Sequence, residues 1–128
     1  MTILLDTSAF LFAILGDPRL SSKAASHFRD PGNQLLLSMA SLWEMAVKYS
    51  LGKLQMLKPI DRFISEELAY NRVEILDIKA HHVFKVAELP FHHRDPFDRI
   101  ITAQALTEEL PLVTSDAIFR RYGVRVLT

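Results

Sequence analysis

Short apolar runs and longer amphipathic stretches alternate along the chain. Ile3 to Leu5 reads as a buried strand ended by Asp6, and Ala9 to Leu15 as a helix stopped at Gly16-Asp17-Pro18. A second short helix is predicted over Ser21 to Arg29, then a turn at Pro31-Gly32-Asn33 and a strand over Leu35 to Leu37. Leu42, Met45, Ala46 and Tyr49 fall at i, i+3, i+4 and i+7, one face of a helix that closes at Gly52. Further helices are predicted over Ile60 to Asn71, with Phe63, Ile64 and Leu68 inward, over Lys79 to Leu89, with Val83, Val86 and Ala87 on one face, and over Pro96 to Glu109. Strands are predicted over Val73 to Leu76, Leu112 to Thr114 and Val124 to Leu127.

Strands that alternate with helices imply right-handed βαβ crossovers and helices on both faces of the sheet. The expected fold class is therefore α/β: a three-layer α/β/α sandwich around a mostly parallel sheet of four or five strands. The 128 residues suit one domain, and no repeat, low-complexity stretch or linker divides residues 1–128. In such sheets ligands bind beyond the carboxyl ends of the strands, which says where to look for chemistry.

Composition narrows the classes. Apolar residues make up 49% and charged residues 23%, an ordinary globular balance. Formal net charge is zero, so any attraction to nucleic acid must come from a local basic patch, such as Arg120, Arg121 and Arg125. The absence of cysteine excludes a disulfide framework, a thiolate zinc site and a cysteine nucleophile, and is compatible with a reducing cytoplasm. The start, Met1-Thr2-Ile3-Leu4-Leu5-Asp6, shows no basic leader, and no apolar run approaches the ~18 residues of a membrane span. The expectation is a cytoplasmic protein with no membrane segment.

Four acids stand just past a strand or in the first turn of a helix: Asp6, Glu44, Asp98 and Asp116. Each alone has a structural explanation. Asp6 can open the turn into a helix capped by Ser8, Glu44 can complete a capping box with Ser41, Asp98 can follow an Asp95 cap with Pro96 at the first helical position, and Asp116 can favour a helix dipole. Together they point elsewhere, because all four can face one crevice. Clustered carboxylates repel one another and hold protons unless a counter-ion is present. A hard divalent cation, Mg²⁺ or Mn²⁺, resolves the conflict, since it prefers oxygen ligands.

The stretches Leu4-Leu5-Asp6-Thr7-Ser8-Ala9, Ser41-Leu42-Trp43-Glu44, His93-Arg94-Asp95-Pro96-Phe97-Asp98-Arg99 and Val113-Thr114-Ser115-Asp116 resemble the four acidic motifs of PIN-domain nucleases. The third, preceded by Leu89-Pro90, resembles in particular the VapC-type toxins of type II toxin–antitoxin pairs. The resemblance covers essentially the whole chain in order and spacing. It implies that Asp6, Glu44, Asp98 and Asp116 are the metal-binding, catalytic acids, that Ser8 supports them, and that Asp95 is a cap or an outer acid. It further implies an Mg²⁺- or Mn²⁺-dependent endoribonuclease that cleaves RNA with metal-activated water, a cognate antitoxin partner and a homodimer.

Other readings were weighed. The pairs His81-His82 and His92-His93 match no zinc-ligand spacing. His93 suits an RNA phosphate, orientation of Asp95, or an ordinary loop position. Arg99 suits a supporting role toward phosphate, or equally a surface or internal ion pair. Trp43 suits core or rim packing more than base stacking. No GxxxxGK[ST] loop or GxSxG elbow is present. A phosphoaspartyl hydrolase wants a second Asp two residues after the first, where Ser8 stands. A non-catalytic RNA- or protein-binding module on the same fold is the non-enzymatic alternative, but an RNA binder gains nothing from four concentrated acids. For the antitoxin, the expected seat is a groove between Ala9–Leu15 and Leu42–Leu51, offering Phe10, Phe12, Trp43 and Tyr49.

Overall fold

The computed structural model describes all residues from Met1 to Thr128. Five strands, β1 (Thr2–Leu5), β2 (Gln34–Ser38), β3 (Val73–Leu76), β4 (Leu112–Val113) and β5 (Val126–Leu127), pair in the order β3-β2-β1-β4-β5. Every pairing is parallel, with Leu4 of β1 opposite Leu36 of β2 and Leu112 of β4. Seven helices intervene: α1 (Thr7–Leu15), α2 (Ser22–Arg29), α3 (Met39–Ser50), α4 (Ile60–Tyr70), α5 (Ala80–Glu88), α6 (Pro96–Thr107) and α7 (Ile118–Arg121). None is long and apolar enough to cross a membrane.

The strands read as continuous apolar runs because both faces of the sheet are buried. Ile3, Leu5, Leu35, Leu37 and Val113 point into one core with Ala9 and Phe10 of α1, Ala24 of α2, Met45 of α3 and Ile64 of α4. The residues between them, Leu4 and Leu112, point into a second core with Ile101, Ala103 and Ala105 of α6 and Phe119 of α7. Period-2 alternation thus feeds two cores, which gives the three layers.

Strand order places the chemistry. From β1 the chain steps to β2 and β3 on one side, and returns to β4 and β5 on the other, so the direction of winding reverses between β1 and β4. Such a switch point opens a crevice at the carboxyl ends of the two strands. Asp6 leaves β1 there, with its N–H bonded to the carbonyl of Val113 at 3.2 Å.

Helix starts differ from expectation in two places. Asp6 itself, not Ser8, caps α1, accepting from the Ala9 N–H at 2.7 Å. Ser38 rather than Ser41 caps α3, because β2 runs to Ser38 and the helix begins directly after it. Asp95 caps α6 as expected, with Pro96 at the first helical position. Gly16 closes α1 at φ 64°, a left-handed turn that glycine adopts without strain. The turn α7 was not expected: four residues are too few to show a helical period. A buried polar link fixes α6 beneath the sheet edge. Ser38 donates to Gln104 Oε1 at 2.5 Å, and Gln104 Nε2 donates to the Asp77 carbonyl at 3.2 Å. Gln104 is fully buried, so these bonds are the condition on which it can be there.

Candidate metal centre

Asp6 stands at the floor of the crevice, 4% exposed. One carboxylate oxygen takes the Ala9 N–H, and the other takes the Thr114 hydroxyl at 2.5 Å. Thr114 Oγ1 in turn accepts the Asp116 N–H at 3.0 Å, so one threonine joins the ends of β1 and β4 and holds the segment that carries Asp116. Asp116 is exposed, and its Oδ1 accepts the Ile118 N–H at 3.0 Å.

Glu44 enters from the second turn of α3 and is 5% exposed. Its Oε1 lies 2.6 Å from the Thr7 hydroxyl, which also lies 2.9 Å from Ser41 Oγ. A carboxylate can only accept, so Thr7 donates to Glu44 and Ser41 donates to Thr7. The other oxygen meets the Lys48 ammonium at 2.7 Å, one helical turn further on. Lys48 is half in water and supplies a cation beside this acid.

Asp98 lies in the first turn of α6, partly buried. Burial pushes its carboxyl up from 3.8 to about 7, and the negative charges of Asp95, Asp6, Glu44 and Asp116 add to the rise. Burial likewise raises Asp6 to about 6; the Thr114 and Ala9 hydrogen bonds oppose this, while Glu44 and Asp116 add to it. The four acids named from the sequence therefore share one electrostatic neighbourhood, with Asp95 at its edge.

This donor set fits a hard divalent cation. All its anionic ligands are oxygens, and two of the acids, Asp6 and Asp98, are driven toward protonation by burial and by the charge of neighbouring acids, which a cation would offset. No three of these acids bring an oxygen within 4.8 Å of one another.

Three side chains of metal-binding type do lie that close, but elsewhere: His81, His82 and Glu108. Glu108 is ten residues along α6 from Asp98, about 15 Å away. His82 is fully buried, and its Nδ1 accepts the Lys79 N–H at 3.0 Å. The ring proton must then sit on Nε2, where it reaches Glu108 Oε1 at 2.7 Å. A metal on Nε2 would need the opposite tautomer and would break the Lys79 bond. The trio pins α5 to α6, and those hydrogen bonds hold Glu108 below the usual carboxylate range.

Of the supporting residues read from the sequence, Asp95 caps α6, while Ser8 and Arg99 make no hydrogen bond to the four acids. Ser8 is exposed, and the hydroxyls that reach the acids belong to Thr7 and Thr114. Arg99 is 5% exposed, with its guanidinium engaged inside the protein. Its guanidinium donates to the carbonyls of Pro90, Val86 and Leu89 and to the Tyr122 hydroxyl, at 2.8 to 3.3 Å, and lies 4.2 Å over the Phe91 ring. Asp98 is kept in place by this clamp one residue away. Trp43 is 59% exposed, at the rim, with its ring edge-to-face with Phe97 at 4.9 Å. Of the aromatic residues expected in an antitoxin groove, Phe10 is fully buried in the first core, while Phe12 is half-buried and Trp43 and Tyr49 are exposed. An apolar groove of about 360 Å³ lies between α1, α4 and the loop before α4, lined by Leu11, Leu15, Leu54, Met56, Leu57 and Phe63.

Sequence and structure comparisons agree on the fold. The family model of the PIN domain matches residues 3–125. No curated protein matches the chain. VapBC2 from Rickettsia felis, solved bound to a DNA fragment from its promoter, is 22% identical over 98% of this chain and 97% of that one, with a TM-score of 0.72. DNA-bound VapBC from Salmonella typhimurium is 21% identical over 98% and 97%, with a TM-score of 0.70. FitAcB from Neisseria gonorrhoeae is 19% identical over 100% and 97%, with a TM-score of 0.66. At these identities the likeness is one of fold.

Proposed function

The chain belongs to the PIN-domain family, in which nuclease activity is typical, and on that premise we propose that it is an Mg²⁺- or Mn²⁺-dependent endoribonuclease, the toxin of a type II toxin–antitoxin pair. The observation that carries this reading is the field around Asp98, which Asp6, Glu44, Asp95 and Asp116 all make negative. Four acids gathered at a switch point are costly to a fold and are relieved by a cation.

In this reading Asp6, Glu44, Asp98 and Asp116 hold the ion. A divalent ion so held supplies an activated water and neutralises charge on the scissile phosphate. The chain's own groups prepare the ligands. Thr114 and the Ala9 N–H orient the two oxygens of Asp6, while Thr7 and Lys48 orient those of Glu44. Asp95, holding the first N–H groups of α6, fixes where Asp98 points. Preorganised ligands of this kind leave little reorganisation to the reaction itself.

The toxin assignment is supported by the named pairs among the structural neighbours, whose fold this chain shares. We place the antitoxin in the apolar α1–α4 groove, where Leu57 is fully exposed and Leu15 is 69% exposed. The proposal includes action in the cytoplasm and a homodimer, which sedimentation measures directly. The test of the function is incubation of total RNA with the purified chain and millimolar Mn²⁺. Discrete fragments that vanish on adding a chelator support it. Intact RNA under a range of divalent ions would refute the nuclease reading.

A further inference from the structure

The loop ahead of α6 carries a hydrogen-bond chain that ends at the His93 ring, beside Asp98. At its base is Tyr122, 8% exposed. Its hydroxyl lies 3.2 Å from Arg99 Nη1, 3.2 Å from the His93 backbone nitrogen, 2.7 Å from His93 Nδ1 and 3.4 Å from the His93 carbonyl. The guanidinium and the amide can only donate, so they occupy the two lone pairs of the hydroxyl. The hydroxyl has one proton to place, and its shortest contact is Nδ1. Nδ1 therefore accepts, and the single N–H of the neutral imidazole is on Nε2. Nε2 is buried, has no hydrogen-bond partner, and stands 3.4 Å from Asp98 Oδ2.

We infer that His93 is a positioning residue for Asp98: Tyr122 fixes its tautomer so that the Nε2 proton stands unpartnered beside the Asp98 carboxylate, 3.4 Å from Oδ2, available to it when the carboxylate turns to take an ion. The role rests on Asp98 being a cation ligand, as proposed above. Once accepted by Oδ2, the Nε2 proton would restrain rotation of the carboxylate and leave the other oxygen free for an ion. Partners of this kind behind a metal ligand are worth about 10- to 100-fold in metal affinity. Arg99 completes the device. By holding Val86, Leu89 and Pro90 it fixes the loop from which His93 hangs, and by donating to Tyr122 it takes one lone pair of that hydroxyl, whose proton then goes to its shortest contact, Nδ1.

Two measurements on the full chain test this. The ¹⁵N resonances of the His93 ring in the metal-free protein should show a protonated Nε2 and an unprotonated Nδ1, and Tyr122→Phe should yield a tautomer mixture. Mn²⁺ affinity, read by the loss of free-ion EPR signal, should fall about 10- to 100-fold in His93→Leu. His93→Gln, which keeps an N–H donor near the Nε2 position, should recover most of it. An Nδ1-protonated ring, or equal Mn²⁺ affinity in His93→Leu and wild type, overturns the inference. Asp98→Asn separates the two readings. If it too binds Mn²⁺ like wild type, the metal reading fails and takes the role of His93 with it. If it loses Mn²⁺ while His93→Leu does not, only the inference fails.

Discussion

Thr114 donates a 2.5 Å hydrogen bond to Asp6 across the β1–β4 boundary, joining residues 108 positions apart. The bond favours the charged carboxylate, against the burial that raises Asp6 to about 6. Thr114→Val should therefore raise this carboxyl further, so that more of it is protonated near neutral pH. Mn²⁺ affinity should drop about tenfold at pH 6, and the gap should narrow at pH 8, where the acid ionises in either protein. Thr114→Ser should behave as wild type. A deficit that does not change with pH would place the effect outside Asp6.

The raised carboxyls set a pH dependence of stability. Asp6 and Asp98 bind protons more tightly folded than unfolded, where their value is near 3.8. Between these limits the native state holds more protons, so stability falls as pH rises. Their stabilising contribution is whole below about pH 4 and is lost as pH passes through about 6 and 7. In chelator, Asp98→Asn should melt higher than wild type at pH 8 and lose that advantage at pH 5, while Mn²⁺ should raise the wild-type melting temperature by mass action. A wild-type advantage at pH 8 in chelator would contradict the crevice.

Arg99 is a structural cation. Replacing it by Met leaves the carbonyls of Val86, Leu89 and Pro90 without their donor, and urea unfolding should show a loss of at least about 2 kcal/mol. The salt dependence of RNA binding gives the contrast. A phosphate-holding arginine would lower the slope of log affinity against log salt by about 0.7 on single strands. In folded Arg99→Met that slope should be unchanged.

The toxin reading predicts a phenotype. Induced alone in a bacterial host, the chain should arrest growth, and Asp6→Asn should not. Leu57→Asp should leave the arrest intact but prevent its relief by the reading frame encoded beside it, because a charge in the α1–α4 groove opposes an apolar partner segment. Harmless expression of a chain that is active in the tube would count against the toxin role.

Much of this was legible in the sequence because the signals are local. An acid directly after an apolar strand run, as at Asp6, sits at a strand's carboxyl end in any parallel sheet. The helix-opening Asp95-Pro96 pair fixed where Asp98 falls. What the sequence hid are contacts across long separations. Nothing adjacent to Thr7 or Thr114 says that their hydroxyls meet Glu44 and Asp6, and nothing near His93 announces Tyr122, 29 positions away. The resemblance pointed to Ser8, while Thr7, one position earlier, is the hydroxyl that reaches Glu44; a one-residue shift rotates a helical side chain by about 100°. Lys48 carried a visible signal that the sequence reading missed, its i,i+4 spacing from Glu44.

The central claim is that Asp6, Glu44, Asp98 and Asp116 form one cation-dependent nuclease site. It is tested most directly by the rate of RNA cleavage in Mn²⁺ for wild type, Asp6→Asn and Asp98→Asn, each first shown to be folded by its melting curve. These changes remove charge while keeping volume. The account predicts cleavage by wild type and a loss of at least about 100-fold in both variants, on the scale of removing a group essential to transition-state stabilisation. Undiminished cleavage by either folded variant, or by wild type in excess chelator, would contradict it.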